Sequence, residues 1–455
     1  MKGWVVVGVA CLGQFMVVLD VSVVNVALPT IQSALGFSRT GLPWVVNGYV
    51  LTFAGFLLLG GRLADLYGRK RVFLCGLALF TAASLVGGLA DTPGLLIAAR
   101  ALQGLGASVL APATITMLTV TFPEGPARIR ALATWTAVAA AGGTAGNLIG
   151  GAITEFLSWR WILLINVPLG AALGALTVLC LAPDQRTDES VRLDVPGALL
   201  ATTGLGALTY GITLTRSDSW AAPSTITALA LGVAALGAFV LVEGRFARAP
   251  LLPLRLLSIR TVSVGNVLML LGGVSFTAMW YFLSLFMQDV LHYSAWQTGL
   301  GFLPHTLVSV VIGMHTAPWL LHRLDGRTVI VIGAVLAGAG FAWQSLAGPD
   351  STYLVGILGP GVIMSLGGGL LNTPITNTVT SGVRSPDAGA ASGLMNTSKQ
   401  VGGALGLTVL VVLTVPSVPA LDALDAGYSL AFGIVAAVLV GMAVLATALP
   451  GRQAR

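Results

Sequence analysis

The stretch Gly61–Arg71, GRLADLYGRKR, decides the fold. It stands between two long apolar runs, near residues 43–63 and 72–90. Four cations, Arg62, Arg69, Lys70 and Arg71, and one anion, Asp65, crowd into it. Charge this dense between two apolar runs predicts a tight polar turn pinned at a membrane face. Gly61 is expected to let another helix approach closely, and Gly68 suits a turn with positive φ. Judged by charge alone, the stretch would equally serve as a basic inside loop that only sets topology.

Composition extends the membrane reading to the whole chain. Of 455 residues, 56% are hydrophobic and 9% are charged, and the mean hydropathy is +0.91. A soluble domain carries roughly a quarter charged residues. Apolar runs of about 20 residues recur along the chain, the pattern of a polytopic helical membrane protein; a β-barrel would show short alternating segments. The net charge of +6 sits in short loops without interleaved aromatics, so it predicts no nucleic-acid partner. Cys11, Cys75 and Cys180 are far apart in apolar runs; they offer no disulfide or metal spacing and read as small core fillers. The apolar run passes straight through Cys11, so the N-terminal segment reads as an uncleaved first helix.

Fourteen spans are expected, near residues 4–28, 43–63, 72–90, 95–118, 129–156, 161–181, 196–215, 223–242, 261–290, 297–321, 328–346, 353–376, 388–415 and 427–449. With the N-terminus inside, 18 of the 23 Lys and Arg fall in inside segments. Only Arg39, Arg160 and Arg216 fall outside, while Arg100 and Lys399 lie within spans. That bias puts both termini on the cytoplasmic side. Six spans, a pair, then six spans suggest a duplicated core: an N-terminal six-helix bundle over 1–182, a linker with two inserted helices over 183–260, and a C-terminal bundle over 261–455. Leu321–Arg327, LHRLDGR, faintly echoes the Gly61–Arg71 stretch at the matching place in the second half.

Ionisable residues inside apolar spans are costly and mark candidate sites. Asp20 lies within the first span and Arg100 at similar depth in the fourth. Burial disfavours a charged carboxylate, whereas a nearby guanidinium favours it. The pair therefore reads as a proton-coupling site or as a static ion pair. Gln103, one turn after Arg100, is placed to bond either group. Gly142, Gly146 and Gly150, flanked by Gly143 and Gly151, form a small-xxx-small stripe for close helix contact. A drug pocket needs apolar and aromatic walls with a few polar anchors. Candidates are Gln14 and Asn25 on the first span, Asn47, Tyr49 and Phe53 on the second, and Trp135 on the fifth. The ninth span adds Phe276, Met279, Trp280, Leu283 and Met287. Such stripes serve packing or lipid-facing surface as readily. Glu155 and Asp289 read as interfacial, His305 and His315 as structural histidines, and Lys399 as a snorkelling cation near the inner end of its span. No nucleotide-binding loop and no catalytic cluster is visible, so no cofactor, metal, nucleotide or enzymatic role is expected.

Several of these motifs resemble one family. G-x-x-x-D-x-x-G-R-K-R resembles the loop between the second and third spans of the major facilitator superfamily, with Leu66 where that pattern often has a cation. R-x-x-Q-G-x-G, Arg100–Gly106, resembles a motif tied to proton coupling in drug exporters. The fifth-span glycines resemble the antiporter motif, with Gly146-Asn147 in place of Gly-Pro. LDVSVVNVALP (Leu19–Pro29), WRWILLINVPLG (Trp159–Gly170) and NTSKQVGGALG (Asn396–Gly406) are similar to stretches of the fourteen-span drug:proton antiporters. The resemblance covers nearly the whole chain. It implies two six-helix bundles related by a parallel repeat, with substrate at midplane. It also implies a monomeric exporter of amphipathic drugs or antibiotics in exchange for protons. A proton-coupled metabolite symporter of the same fold is the alternative, and an integral-membrane enzyme or receptor is a more distant one.

Overall fold

The computed structural model describes residues 2–123, 125–181, 194–246, 254–381, 383, 387–416 and 421–450. Among them there are helices and turns but no strand. A backbone inside a bilayer must satisfy its own hydrogen bonds, which long helices do. In the first half these are α1 (Lys2–Leu35), α2 (Trp44–Tyr67), α3 (Arg69–Gly88), α4 (Pro93–Thr121) and α5 (Pro126–Phe156), then the short α6 (Trp161–Leu164) and α7 (Asn166–Cys180). Two helices follow, α8 (Val195–Ser217) and α9 (Pro223–Leu241). The second half holds α10 (Arg260–Leu285), α11 (Ala295–Val311), α12 (Ala317–Arg323), α13 (Gly326–Gln344), α14 (Gly359–Ser381), α15 (Ala388–Thr414) and α16 (Leu421–Ala446). Thirteen helices among the described residues are long and apolar enough to cross a membrane, counting α6 with α7 and α11 with α12. α5 spans 31 residues but is diluted by polar and glycine positions.

Local chemistry sets the helix ends. Thr92 caps α4, its hydroxyl accepting from the Leu95 amide at 3.3 Å, with proline at the first helical position. Ser294 and Gln297 form a capping box at α11. Between α2 and α3 the break is the single residue Gly68, at φ 90° and ψ 136°. The polar turn expected over residues 61–71 is therefore helical except at Gly68. Charged side chains do not unwind a helix, whereas a positive φ ends one.

By contacts the chain forms two units, Met1–Thr203 with Ala235–Leu251, and Gly204–Ala234 with Leu252–Arg455. The boundary falls within α8 and α9, and the expected linker residues 183–193 and 247–253 lie outside the described part. In the first unit α8 is seated on α2: Ala198 packs with Leu59, and a methyl group at Gly55 would strike Thr202. In the second unit Arg216, at the end of α8, donates to the carbonyl oxygens of Val412 (2.7 Å) and Val415 at the end of α15.

Each unit repeats one packing plan. In the first, α2 and α3 pack on α4, α1 on α5, and α3 on α7; in the second, α11 and α13 pack on α14, α10 on α15, and α13 on α16. The glycines repeat with it. A methyl group at Gly142, Gly146 or Gly150 of α5 would lie 3.1 Å or less from an atom of α1, and one at Gly402, Gly403 or Gly406 of α15 would clash with α10. Helix-capping cations recur too. Lys70 at the start of α3 donates to the carbonyl oxygens of Val178 (3.0 Å) and Leu181 at the end of α7. Arg327 at the start of α13 reaches Thr447 O, just beyond α16, at 3.5 Å. Cations complement the exposed carbonyls and negative dipole of a helix C-terminus.

Candidate functional site

The strongest concentration of buried polarity lies in the first unit, where α1, α2, α3, α4 and α7 converge. Asp20 of α1 and Arg100 of α4 form an ion pair, Arg100 Nη1 donating to Asp20 Oδ2 at 2.5 Å. Asp20 is 0% exposed and Arg100 2%. Gln103, one turn after Arg100, bonds both partners: its Oε1 accepts from Arg100 Nη1 at 3.0 Å, and its Nε2 donates to Asp20 Oδ1 at 3.0 Å. Asn166, the first residue of α7, donates from Nδ2 to the same Oδ1 at 2.8 Å. Arg100 Nε donates to the Val45 carbonyl of α2 at 3.1 Å, and the guanidinium lies 4.6 Å from the Tyr49 ring centroid. Gln103 Nε2 also donates to Ser84 Oγ of α3 at 2.6 Å, and the Ser84 hydroxyl donates to Phe80 O at 2.8 Å.

This arrangement suits an ionised Asp20, which is acceptor-only. Three donors converge on its two oxygens. Asn166 Oδ1 and Tyr49 OH, both buried, have no hydrogen-bond partner among the described residues. Asn166 therefore holds a spare acceptor beside the carboxylate. A buried ion pair gains little net stability over apolar packing, and breaking one partner away is costly.

The other expected residues distribute unevenly. Gly142, Gly146 and Gly150 press α5 onto Phe15–Val23 of α1, the stretch that carries Asp20; Gly143 lies beside Val18 and Gly151 is buried. Asn147 is buried and its Oδ1 lacks a partner among the described residues. Trp135 donates to Thr114 Oγ1 at 3.0 Å and so ties α5 to α4. Gln14 is half-buried, and Asn25 donates to Val21 O within its own helix at 3.3 Å. Asn47 is buried in α2. Tyr49, expected as a pocket wall, instead lies buried under Arg100 and stacks on the half-buried Phe53 at 5.9 Å. In α10, Met279 and Leu283 are buried, as is Met287 just beyond it, whereas Phe276 is 49% exposed and Trp280 half-buried. A helix face that meets a neighbour loses its pocket role to packing.

Further expectations change. Gly61 meets nothing closer than 3.9 Å (Pro112 Cβ), whereas a methyl group at Gly60 would lie 2.0 Å from Ser108 O. The close approach to α4 is therefore made by Gly60, because adjacent residues point about 100° apart. Of the cysteines only Cys11 is buried; Cys75 and Cys180 are exposed, on outward faces of their helices. Lys399 is the twelfth residue of the 27-residue α15, not near its end. Glu155 is exposed, Asp289 accepts from Tyr428 at 2.7 Å, His315 is exposed and His305 is 1% exposed. The side chain of Asp65 lies outside the described part; Arg69 and Lys70 are half-buried, and Arg71 is exposed. Sequence reasoning missed Asn166, Ser84 and the role of Tyr49. The only sequence signal for Asn166 was its place in WRWILLINVPLG.

Residues 10–407 match the family model described as Major Facilitator Superfamily. The chain belongs to the Major Facilitator Superfamily. It is 54% identical over 443 residues to the cephamycin export protein CmcT of Amycolatopsis lactamdurans, covering 97% of this chain and 91% of that protein. It is 41% identical to the puromycin resistance protein pur8 of Streptomyces alboniger, covering 87% of this chain and 79% of that one. The lincomycin resistance protein of Streptomyces lincolnensis is 34% identical, covering 97% and 91%. Among solved structures the fold matches the POT family transporter PepTSo, with a TM-score of 0.71 at 13% identity over 97% of each chain. As a superfamily member with thirteen candidate spans, the protein is a transporter and a multi-pass protein of the cell membrane.

Proposed function

We propose that the protein exports amphipathic drugs or antibiotics across the cytoplasmic membrane in exchange for protons. The carrying observation is the buried Asp20–Arg100 pair with Gln103 and Asn166 around it. Relatives named for antibiotic export and resistance support the cargo class. In this reading all fourteen long helices, α5 included, cross the membrane with both termini inside. One chain is the transport unit.

Asp20 carries the proton. Ionised, it is held by three donors. When it takes a proton from outside, its bond to Arg100 weakens and Asn166 turns its spare oxygen to accept the new O–H. Arg100 keeps its charge throughout and falls back on Gln103, Val45 O and Tyr49. The rearranged cluster lets α1 and α4 shift, and α5, seated on α1 by its glycines, follows. Asp65 and the Arg69–Arg71 cations serve as the switch at the inner ends of α2 and α3.

The test is efflux into vesicles against a substrate gradient with ΔpH as the only driving force, across an antibiotic panel. Asp20→Asn, which resembles a permanently protonated acid, abolishes uphill efflux while substrate binding or downhill exchange persists. Uphill efflux by Asp20→Asn would remove Asp20 from the coupling role. A wild type that moves none of the panel would overturn the exporter reading.

A further inference from the structure

Histidines aside, the acidic and basic side chains away from span ends, among the described residues, are Asp20, Arg100 and Lys399. Asp20 and Arg100 cancel in one ion pair. The formal charge that remains at depth is the ammonium of Lys399. It stands eleven residues past Ala388, the first residue of α15, or about 16 Å along the axis. That is beyond the reach of a lysine stem to that helix end.

Three features describe its surroundings, all within the second unit. The Lys399 backbone sits at a close crossing, since a methyl group at Gly273 of α10 would strike its carbonyl oxygen. Its Nζ lies 5.1 Å from the Phe276 ring centroid, within cation–π range. No carboxylate of the described residues pairs with it, and the side chain is only half-buried. Beyond Phe276 the aromatic surface continues. Phe276 and Trp280 meet edge to face at 5.9 Å, and Trp280 and Phe302 approach to 4.7 Å. Phe276 is 49% exposed and Trp280 half-buried, so this surface is open at the lysine end. Asn396, one turn before Lys399 on the same helix face, is exposed as well.

A cation without a counter-ion deep in a span is costly unless something supplies the missing charge. Here it stands at the head of an apolar aromatic strip. We propose that Lys399 and the Phe276–Trp280 surface form a subsite for an amphipathic organic anion, the ammonium taking a carboxylate and the rings taking the apolar body. The inference rests on the exporter reading and names its substrate class. It also separates two jobs by unit, with proton binding at Asp20 and anion recognition at Lys399.

The test uses dansyl-phenylalanine and its neutral methyl ester, with the purified full-length protein in nanodiscs. The readout is the ratio of the two affinities. Wild type should favour the acid by about tenfold, or about 1.4 kcal/mol, the low end for a charge-assisted hydrogen bond. Lys399→Met should bring the ratio to one, and Lys399→Arg should restore most of it. A lysine that merely braces α10 against α15 would change both affinities together and leave the ratio alone. A ratio of one in wild type, a preference that survives Lys399→Met, or a wild type that takes neither probe would overturn the subsite. A wild type that prefers the acid yet fails to export any antibiotic from vesicles would refute the exporter and leave the subsite standing.

Discussion

The crossing of α2 with α4 in the first unit and that of α11 with α14 in the second occupy the same place in one packing plan, yet their chemistry differs. At the first, Arg100 reaches Asp20, Gln103, Val45 O and the Tyr49 ring. At the second, His305 of α11 lies buried. Its Nδ1 lies 3.1 Å from Gly301 O. A carbonyl can only accept, so Nδ1 carries the proton. The ring rests on Gly361 of α14, where a methyl group would lie 1.7 Å from Nε2. One crossing is held by charge and a hydrogen-bond network, the other by a ring fitted against a glycine. The two units share the contacts that pack their helices but differ in the side chains at the centres of these crossings.

The largest effect that would test this contrast is on Arg100. Arg100→Ala leaves Asp20 buried without its counter-charge. It should destabilise the protein by about 3–5 kcal/mol and stop efflux, read by thermal unfolding in detergent and by vesicle transport. Asp20→Ala combined with Arg100→Ala should cost clearly less than the sum of the two single changes. Additive losses would mean that the pair does not act as a unit.

Next come the glycines at the two crossings. At Gly104 of α4 a methyl group would lie 2.2 Å from Tyr49 O, a backbone atom that cannot step aside. At Gly361 it meets a side chain. Gly104→Ala should therefore destabilise more than Gly361→Ala, which should cost roughly 1–3 kcal/mol as an overpacked site. His305→Ala should recover most of the Gly361→Ala loss, whereas no side-chain truncation should recover Gly104→Ala. Equal losses at both glycines would erase the distinction between them.

The smallest effect is at Gly61. With nothing nearer than Pro112 Cβ at 3.9 Å, Gly61→Ala should shift stability by less than about 1 kcal/mol and in the favourable direction, from helix propensity alone. A large loss there would show that α2 turns a different face to α4 than the one Gly60 marks.

How much was legible beforehand follows the same division. Asp20 and Arg100 announced themselves because a charge inside an apolar run is rare, and Gln103 followed from helical spacing. Asn166, Ser84 and Tyr49 did not, because uncharged polar residues are scattered through every span and nothing local tells which of them meets a carboxylate. Gly68 was legible as a positive-φ residue. The choice of Gly60 over Gly61 was not, because both are helical glycines and only the rotation of α2 against α4 separates them. Cys75, Cys180 and the depth of Lys399 were misjudged for related reasons: outward faces and helix starts depend on how each span is placed.

By itself the sequence determined a helical membrane protein, the approximate bounds of its long helices, and which charges lie within them. Hydropathy and the cost of unsatisfied backbone groups act locally along the chain and need no partner. Tertiary structure alone decided that Asn166 and Ser84 join the Asp20–Arg100 pair from helices far apart in sequence, and that Lys399 is left with an aromatic ring instead of a carboxylate. Pairing depends on which helix faces meet, and that is settled by close packing at glycines such as Gly60, Gly104 and Gly273.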